Sequence, residues 1–377
     1  MYMNKWKKCK LGDALNFRRG HDLPKSSMIE GEVPVAGSNG VIGYHNVSTP
    51  ISPCITIGRS GNVGTPYIYD KCWAHNTVLY IDDYKGNHPR YLYYLLKNLP
   101  LASFGGGSAV PTLNRNHIHP IEISLPPLAE QKRIADILGA IDDKIELNRR
   151  INVNLEQQAQ ALYKSWFVDN KKDDWKEVPL SEVADFVGGY SYKGNELVES
   201  SMTAMATIKN FERKGGFKVD GFKDIVASNK LKAEHHANLF DILVAHTDLT
   251  QNADVIGNAE MLLTFDKYSD IIFSMDLVKV LPKQTFPYKY LLAALLKNPH
   301  FKKHCMGYVN GTTVLHMSKK ALPEYVINLP SAEEIQSMDN AFKAYYLKMA
   351  EILQENNSLS TLRDTLLPKL MSGEITV

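Results

Sequence analysis

Two stretches of the chain place apolar side chains at alternating four- and three-residue intervals. In the first, Ile134, Leu138, Ile141, Ile145, Asn148, Asn152, Leu155, Ala159, Leu162 and Trp166 share one stripe. In the second, Met338, Phe342, Tyr345, Met349, Ile352, Asn356, Leu359, Arg363, Leu366 and Leu370 do the same. Adding 204 to each position of the first stripe gives the second, with no gap over 33 residues. A period sustained at about 3.5 residues is the pattern of a coiled-coil seam. It predicts two long helices, in segments 126–168 and 331–377, running antiparallel about a local two-fold. Asn152 and Asn356 sit at equivalent seam positions and are expected to form a polar layer that fixes register. Pro126-Pro127 and Pro330 stand before the helices, where proline is tolerated, and Ser331 with Glu334 spells a capping box. Gly373 is the expected stop. A stripe this narrow calls for a helical partner; the alternative is that each helix packs only on its own globular unit.

The remaining sequence reads as short β-rich runs separated by Gly, Pro and Asn turns, and it repeats too. Trp6-Lys7-x3-Leu11-Gly12-Asp13 returns as Trp175-Lys176-x3-Leu180-Ser181-Glu182, an offset of 169. Leu92, Leu95, Leu96, Lys97 and Asn98 return as Leu292, Leu295, Leu296, Lys297 and Asn298, an offset of 200. Leu125-Pro126 returns as Leu329-Pro330, so the second copy carries about 35 extra residues, most of them before position 292. Cys54-Ile55-Thr56-Ile57-Gly58 matches Asp241-Ile242-Leu243-Val244-Ala245, and one short helix is expected near 89–98 and near 287–298. The predicted class is α+β: two pseudo-repeated globular α/β domains with mostly antiparallel strands, at 1–125 and 171–330, joined by two long antiparallel coiled-coil helices.

A length of 377 residues fits two domains and their connecting helices. With 44% hydrophobic and 22% charged residues the chain is expected to fold throughout. It has no apolar run of membrane length and no secretory signal, and its four cysteines form no C-x-x-C pair, so a reduced, cytoplasmic setting is expected. Net charge is +5 over 1–125, −1 over 126–170, +1 over 171–330 and −3 over 331–377. Globular units facing phosphates and helices facing protein are compatible with that distribution, but charge does not identify a nucleic-acid binder.

Signatures of chemistry are missing. Gly58, Gly61 and Gly64, and the run Phe104-Gly105-Gly106-Gly107-Ser108, lack the Lys-Ser/Thr of a phosphate loop and are read as turn glycines. Asn298-Pro299-His300-Phe301 is close to the methyltransferase Asn-Pro-Pro-Tyr/Phe box. The repeat aligns it instead with Asn98-Leu99-Pro100-Leu101, the end of the short helix. His117-x-His119, His235-His236 and His300-x3-His304 lack metal-completing partners, and no nucleophile-base-acid set stands out. No metal, cofactor or catalytic residue is assigned to this chain.

Leu125-Pro126-Pro127-Leu128-Ala129-Glu130-Gln131-x2-Ile134 resembles the hinge and helix start of specificity subunits of type I restriction-modification systems. So do Gly58-Arg59-Ser60-Gly61-Asn62-Val63-Gly64, Pro111-Thr112-Leu113-Asn114 and the ending Leu362-Arg363-Asp364-Thr365-Leu366-Leu367-Pro368-Lys369-Leu370-Met371-Ser372-Gly373-Glu374-Ile375. The second hinge departs from the pattern, reading Leu329-Pro330-Ser331-Ala332-Glu333-Glu334. The resemblance implies two target recognition domains, each binding half of a split double-stranded DNA site, with the helical pair setting the spacer and docking two modification subunits. S-adenosylmethionine and adenine-N6 methylation belong to those subunits; ATP, Mg and cleavage belong to two restriction subunits. The other classes are a homodimeric coiled-coil scaffold and a self-sufficient adenine methyltransferase, the latter opposed by the missing cofactor motif.

Base readers are expected among polar loop residues flanked by glycine. In the first domain these are Ser38, Asn39, Arg59, Ser60, Asn62, Ser108 and Arg115. In the second they are His246, Thr247, Asp248, Gln251, Asn252, Asn310, Thr312 and Thr313. Lys25, Lys193, Lys214 and Lys319 are the expected phosphate contacts.

Overall fold

A computed structural model describes residues 6–106 and 111–377. The chain gathers into two units, Met1–Ile145 with Leu359–Val377, and Glu146–Ser358. Each unit takes in part of both long helices, so these boundaries cut across the four segments drawn from the sequence.

The first unit builds an antiparallel sheet in the order Asn16–Arg19, Val78–Asp83, Cys54–Gly58, Pro66–Tyr69. A second sheet orders Gly40–His45, Val33–Gly37 and Trp73–Ala74, the last pair parallel. Lys7–Lys10 pairs with Glu122–Leu125, bringing the start of the domain to the point where the central helix begins. The second unit repeats this plan. Its four-stranded sheet runs Ala184–Gly188, Leu277–Pro282, Ile242–Ala245, Ala259–Met261, and its three-stranded sheet runs Lys223–Asp224, Thr203–Ala206, Asp270–Phe273, again with one parallel pair. Lys176–Pro179 pairs with Val326–Leu329. Cys54–Gly58 and Ile242–Ala245 occupy the same place in their sheets, as the repeat predicts. The short helices span Pro89–Asn98 and Lys289–Leu296.

About half of the extra residues of the second copy lie between Thr203–Ala206 and Ile242–Ala245, in a segment with three short turns of 3-10 helix. A further α-helix, Pro299–Met306, stands where the first copy has only the 3-10 turn Leu101–Phe104. Asn298 caps it, accepting from the His300 and Phe301 backbone N–H groups at 2.8 and 3.0 Å. The tetrapeptide at 298–301 is therefore the start of this helix, where Asn leads and Pro fits the first turn, and not simply the end of the preceding one.

The long helices span Leu128–Lys164, continuing as a π-turn to Asp169, and Ala332–Ser372. Ser331 and Glu334 form the expected box: Ser331 N–H donates to Glu334 Oε2 (3.1 Å) and Glu334 N–H to Ser331 Oγ (3.3 Å). Gly373 ends the second helix with φ +75°, where a side chain would be strained. Within each unit the two helices run antiparallel. In the first, Asp142 meets Arg363 at 2.8 Å, and Ile134 and Leu138 share a core with Leu367 and Leu370. In the second, Trp166 lies edge-on to Phe342 and Asn148 meets Asn356.

Two seam expectations change. Asn148, 1% exposed, donates to Asn356 Oδ1 (2.9 Å) and Glu355 Oε2 (2.8 Å), so the polar layer pairs Asn356 with Asn148 and not with Asn152. In an antiparallel pair ascending numbers meet descending ones, so Asn356 passes its repeat equivalent and meets a residue one turn earlier. Asn152 makes one long bond to the Met349 carbonyl (3.4 Å), and its Oδ1 is buried without a partner among the described residues. Tyr345 is half-buried and Tyr346 is the enclosed aromatic. The helix also carries its domain: Tyr346 stacks on Tyr290 of the short helix, which widens the stripe beyond a pure seam. Ile134, Leu138, Ile145, Met338, Phe342 and Met349 are buried, while Ile141, Leu155, Leu162, Leu359 and Leu366 are half-buried. Seam packing and domain packing thus share each helix.

Candidate nucleic-acid interface

In the first unit the loop after Cys54–Gly58 folds back on itself through Gly64 N–H to the Gly58 carbonyl (2.8 Å). A Cβ on Gly58 would lie 1.7 Å from the Asn62 carbonyl oxygen, so the turn requires glycine there. This presents Arg59, Ser60 and Asn62 at the surface. The Arg59 and Ser60 amides bond the Thr77 carbonyl, and Asn62 Oδ1 accepts from Thr65 Oγ1 (3.1 Å). Ser38 comes to the same place but is buried, its hydroxyl donating to the Thr77 carbonyl at 2.7 Å. It shapes the loop cluster while neighbouring Asn39 is exposed. Arg115 reaches the Phe17 carbonyl (3.1 Å) and so tethers its own short helix. Ser108 lies outside the described residues. Lys25 opens an exposed 3-10 turn. The structure adds residues the sequence reading did not select: His75, Asn76 and Asp22, with Asn76 bonded to Asp22 and His75 Nδ1 3.1 Å from Thr77 Oγ1. No glycine pattern marks them.

In the second unit a small sheet of Thr247–Asp248, Leu315–Met317 and Val309–Asn310 collects most of the expected residues. Asn310, Thr312, Thr313 and Lys319 are exposed, as are Gln251 and Asn252. Gln251 donates to the Thr312 carbonyl (2.7 Å), tying the two loops. Thr247 and Asp248 are buried and brace the loop from within. Thr247 donates to Asp276 (3.0 Å), and Asp248 accepts from Thr250 N, Thr250 Oγ1 and Val255 N at 2.7 to 2.9 Å. His246 is half-buried, and its basicity is lowered by burial first and then by the nearby charge of His316 and Lys319. His316, exposed on the middle strand, is the residue missed here. Lys193 precedes an exposed turn, and Lys214 stands on a separate loop.

Four histidines of the paired motifs are tied into local structure. His119 Nε2 accepts from Phe17 N–H, His235 Nδ1 from Lys232 N–H, His236 pairs with Asp270, and His304 Nε2 lies 2.8 Å from the Ala321 carbonyl.

Each unit thus offers a cluster of exposed hydrogen-bonding side chains on loops braced from beneath, the arrangement needed to meet base edges. The family model described as the type I restriction modification DNA specificity domain matches residues 3–157. The type I restriction enzyme MjaIX specificity subunit of Methanocaldococcus jannaschii is 24% identical over 311 residues, covering 76% of this chain and 69% of that one. The HindI specificity subunit of Haemophilus influenzae is 25% identical over 327 residues, covering 70% and 71%. The crystal structure of the S subunit of the M. genitalium type I restriction-modification system shares the fold, with TM-score 0.61, 17% identity and 98% of each chain covered. Over most of its length the chain is similar to type I restriction-modification specificity subunits. Among the described residues, no helix is long and apolar enough to cross a membrane.

Proposed function

We propose that this chain is a type I specificity subunit that reads a split double-stranded DNA site, each globular domain contacting one half. The observation that carries this is the repetition of the two-, three- and four-stranded sheets in the two domains, which keep the same orders but present different polar loops, the second on an added small sheet. The same scaffold with different side chains is what recognition of two unlike half-sites needs. The chain itself catalyses no step: two modification subunits bring S-adenosylmethionine and methylate adenine N6. Two restriction subunits bring ATP- and Mg-dependent cleavage, and the assembly works on cytoplasmic DNA. The candidate contacts are the exposed members of the two clusters, with Lys25, Lys193, Lys214 and Lys319 on phosphates.

In this reading the helical pair sets the spacer and docks the modification subunits. Methylome sequencing of a host expressing the chain with its modification subunit should return a two-part adenine motif with a fixed unspecified gap. Adding seven residues between Ile145 and Leu155 and seven between Met349 and Leu359 extends the pair by about 10 Å. That should lengthen the gap by about three base pairs at about 3.4 Å each. An undivided motif would contradict the reading.

A further inference from the structure

The two domains differ most in the segment that follows their first three-stranded-sheet strand. Residues 26–53 contain Glu30 and Glu32 and no Lys or Arg. The matching stretch 201–241 carries Lys209, Arg213, Lys214, Lys218, Lys223, Lys230 and Lys232 against Glu212, Asp220, Asp224, Glu234 and Asp241. Its first part is a compact arm. Phe211 bridges Phe217, and Gly215 and Gly216, at φ +90° and +119°, turn the chain between them. Asn210, fully buried, donates to the Lys218 carbonyl (2.8 Å), and Lys218 N–H returns a bond to the Asn210 carbonyl (2.9 Å). Below lies a ladder of rings, Phe211, Phe217, Phe222 and Tyr268, with successive centroids 5.6 to 5.8 Å apart. Gly221 sits so close to Asn210 that a Cβ would approach its nitrogen to 2.5 Å. The arm is held rigid from inside while Lys209, Arg213, Lys214 and Lys218 are exposed.

Those four residues line an open groove of about 710 Å³ whose other wall includes Asp248 and Thr250, the start of the candidate base-reading loop. Glu212 and Asp220 also line it, and Asp248 is spent on backbone N–H groups. We propose that this groove is a phosphate track: Lys209, Arg213 and Lys218 join Lys214 in gripping the DNA backbone beside the second domain's half-site. The inference rests on the DNA-reading function proposed above. The braced arm fixes where its cations start from the backbone, with Arg213 exchanging an exposed pair with Asp254 (3.6 Å) for phosphate. The groove runs into the loop that would enter the base edges. The first domain has no cations in the matching segment, so the two half-sites are gripped unequally.

The test uses the full chain with its modification subunits and a duplex carrying the methylated motif. Each phosphate contact contributes about 0.9 to the slope of log K against log salt. Replacing three contacts together (Lys209→Gln, Arg213→Gln, Lys218→Gln) should therefore lower the slope by about 2 to 3, with the methylated motif unchanged. Lys230→Gln with Lys232→Gln, on the same segment but outside the groove, should leave the slope at its wild-type value. A triple variant that kept the wild-type slope would overturn the proposal. If its modification subunits bound more weakly instead, the groove would be a seat for an acidic protein segment. An equal slope loss in the Lys230/Lys232 variant would also overturn it, by showing diffuse charge and not a track. A wild-type complex that failed to bind the duplex would instead remove the DNA-reading function beneath it.

Discussion

In the first unit Gln131, and in the second Asp339, reaches from a long helix to the start of the short one. Gln131 is buried; its Oε1 accepts from His88 N–H (2.9 Å), and its Nε2 donates to Asn87 Oδ1 and to the Pro126 carbonyl, both 2.9 Å. Asp339 accepts from the Tyr290 and Leu291 N–H groups at 3.0 and 2.9 Å, and burial holds its carboxyl above the ordinary range. The repeat equivalent of Gln131 is Ile335, so the second unit has moved this function along the helix and changed its chemistry. That explains how the second hinge can lack Glu-Gln and still hold its domain.

The repeated lysines differ as sharply. Lys297 is half-buried between the buried Glu260 Oε2 (2.6 Å) and the half-buried Glu156 Oε1 (3.0 Å), and Glu260 also accepts from Gly216 N–H. Burial acts to lower its pKa, but the two carboxylates more than offset that and keep it charged. Lys97 instead lies 5.3 Å over the Tyr93 ring, its pKa lowered by burial and then by Arg363. The repeat preserves topology; the polar fastenings inside it have been replaced one by one.

The contrast can be broken by mutation, and the largest effect belongs to Lys297→Ala. It strands two carboxylates, one of them buried, and should cost about 3–5 kcal/mol by denaturant unfolding. Lys97→Ala removes a cation over a ring and should cost about 1 kcal/mol or less. Equal losses would mean that the two lysines do the same work. Next come the helix-start contacts. Gln131→Ala and Asp339→Ala each leave buried polar groups unpaired, at about 2 kcal/mol. The isosteres sharpen the point: Asp339→Asn keeps an accepting oxygen and should be mild. Gln131→Glu turns a carboxylate toward two acceptors and should be the worse of that pair in thermal melts.

The smallest expected effect concerns pH in the first unit. His119 accepts from Phe17 N–H at 3.2 Å, and its pKa is lowered below 6.5 by burial, then by Arg115 and Lys85. A depressed folded pKa means that its stability contribution is complete above about pH 6.5 and is lost as pH falls. The wild-type advantage in Tm over His119→Gln should therefore shrink between pH 7.5 and pH 5.5, conditions chosen to straddle about 6.5. A constant difference would show that the ring nitrogen's proton does not matter.

The helical stripe was legible because heptad spacing survives any single exception, and the capping box and Gly373 followed from local rules. Asn148 against Asn152 was not legible, since the period locates the seam but not the register across it. Tyr346 escaped because the stripe was assigned a single partner. The loop residues show the other limit. Ser38, Thr247 and Asp248 have the same short polar side chains beside tight turns as Asn39, Asn62 and Asn252, yet the first three face inward, Ser38 and Asp248 onto backbone and Thr247 onto Asp276. Such residues suit both tasks, and only the fold separates them. Lys209, Arg213 and Lys218 carried no motif, and the groove they share with Asp248 and Thr250 depends on contacts distant in sequence.

The central claim is that each domain reads its own half-site. Replacing residues 1–125 with the first domain of a type I specificity subunit, then sequencing the methylome of a host that also expresses the modification subunit, tests it most directly. The account predicts that one half of the methylated motif changes while the other half and the spacer persist. A motif in which both halves changed together would contradict it.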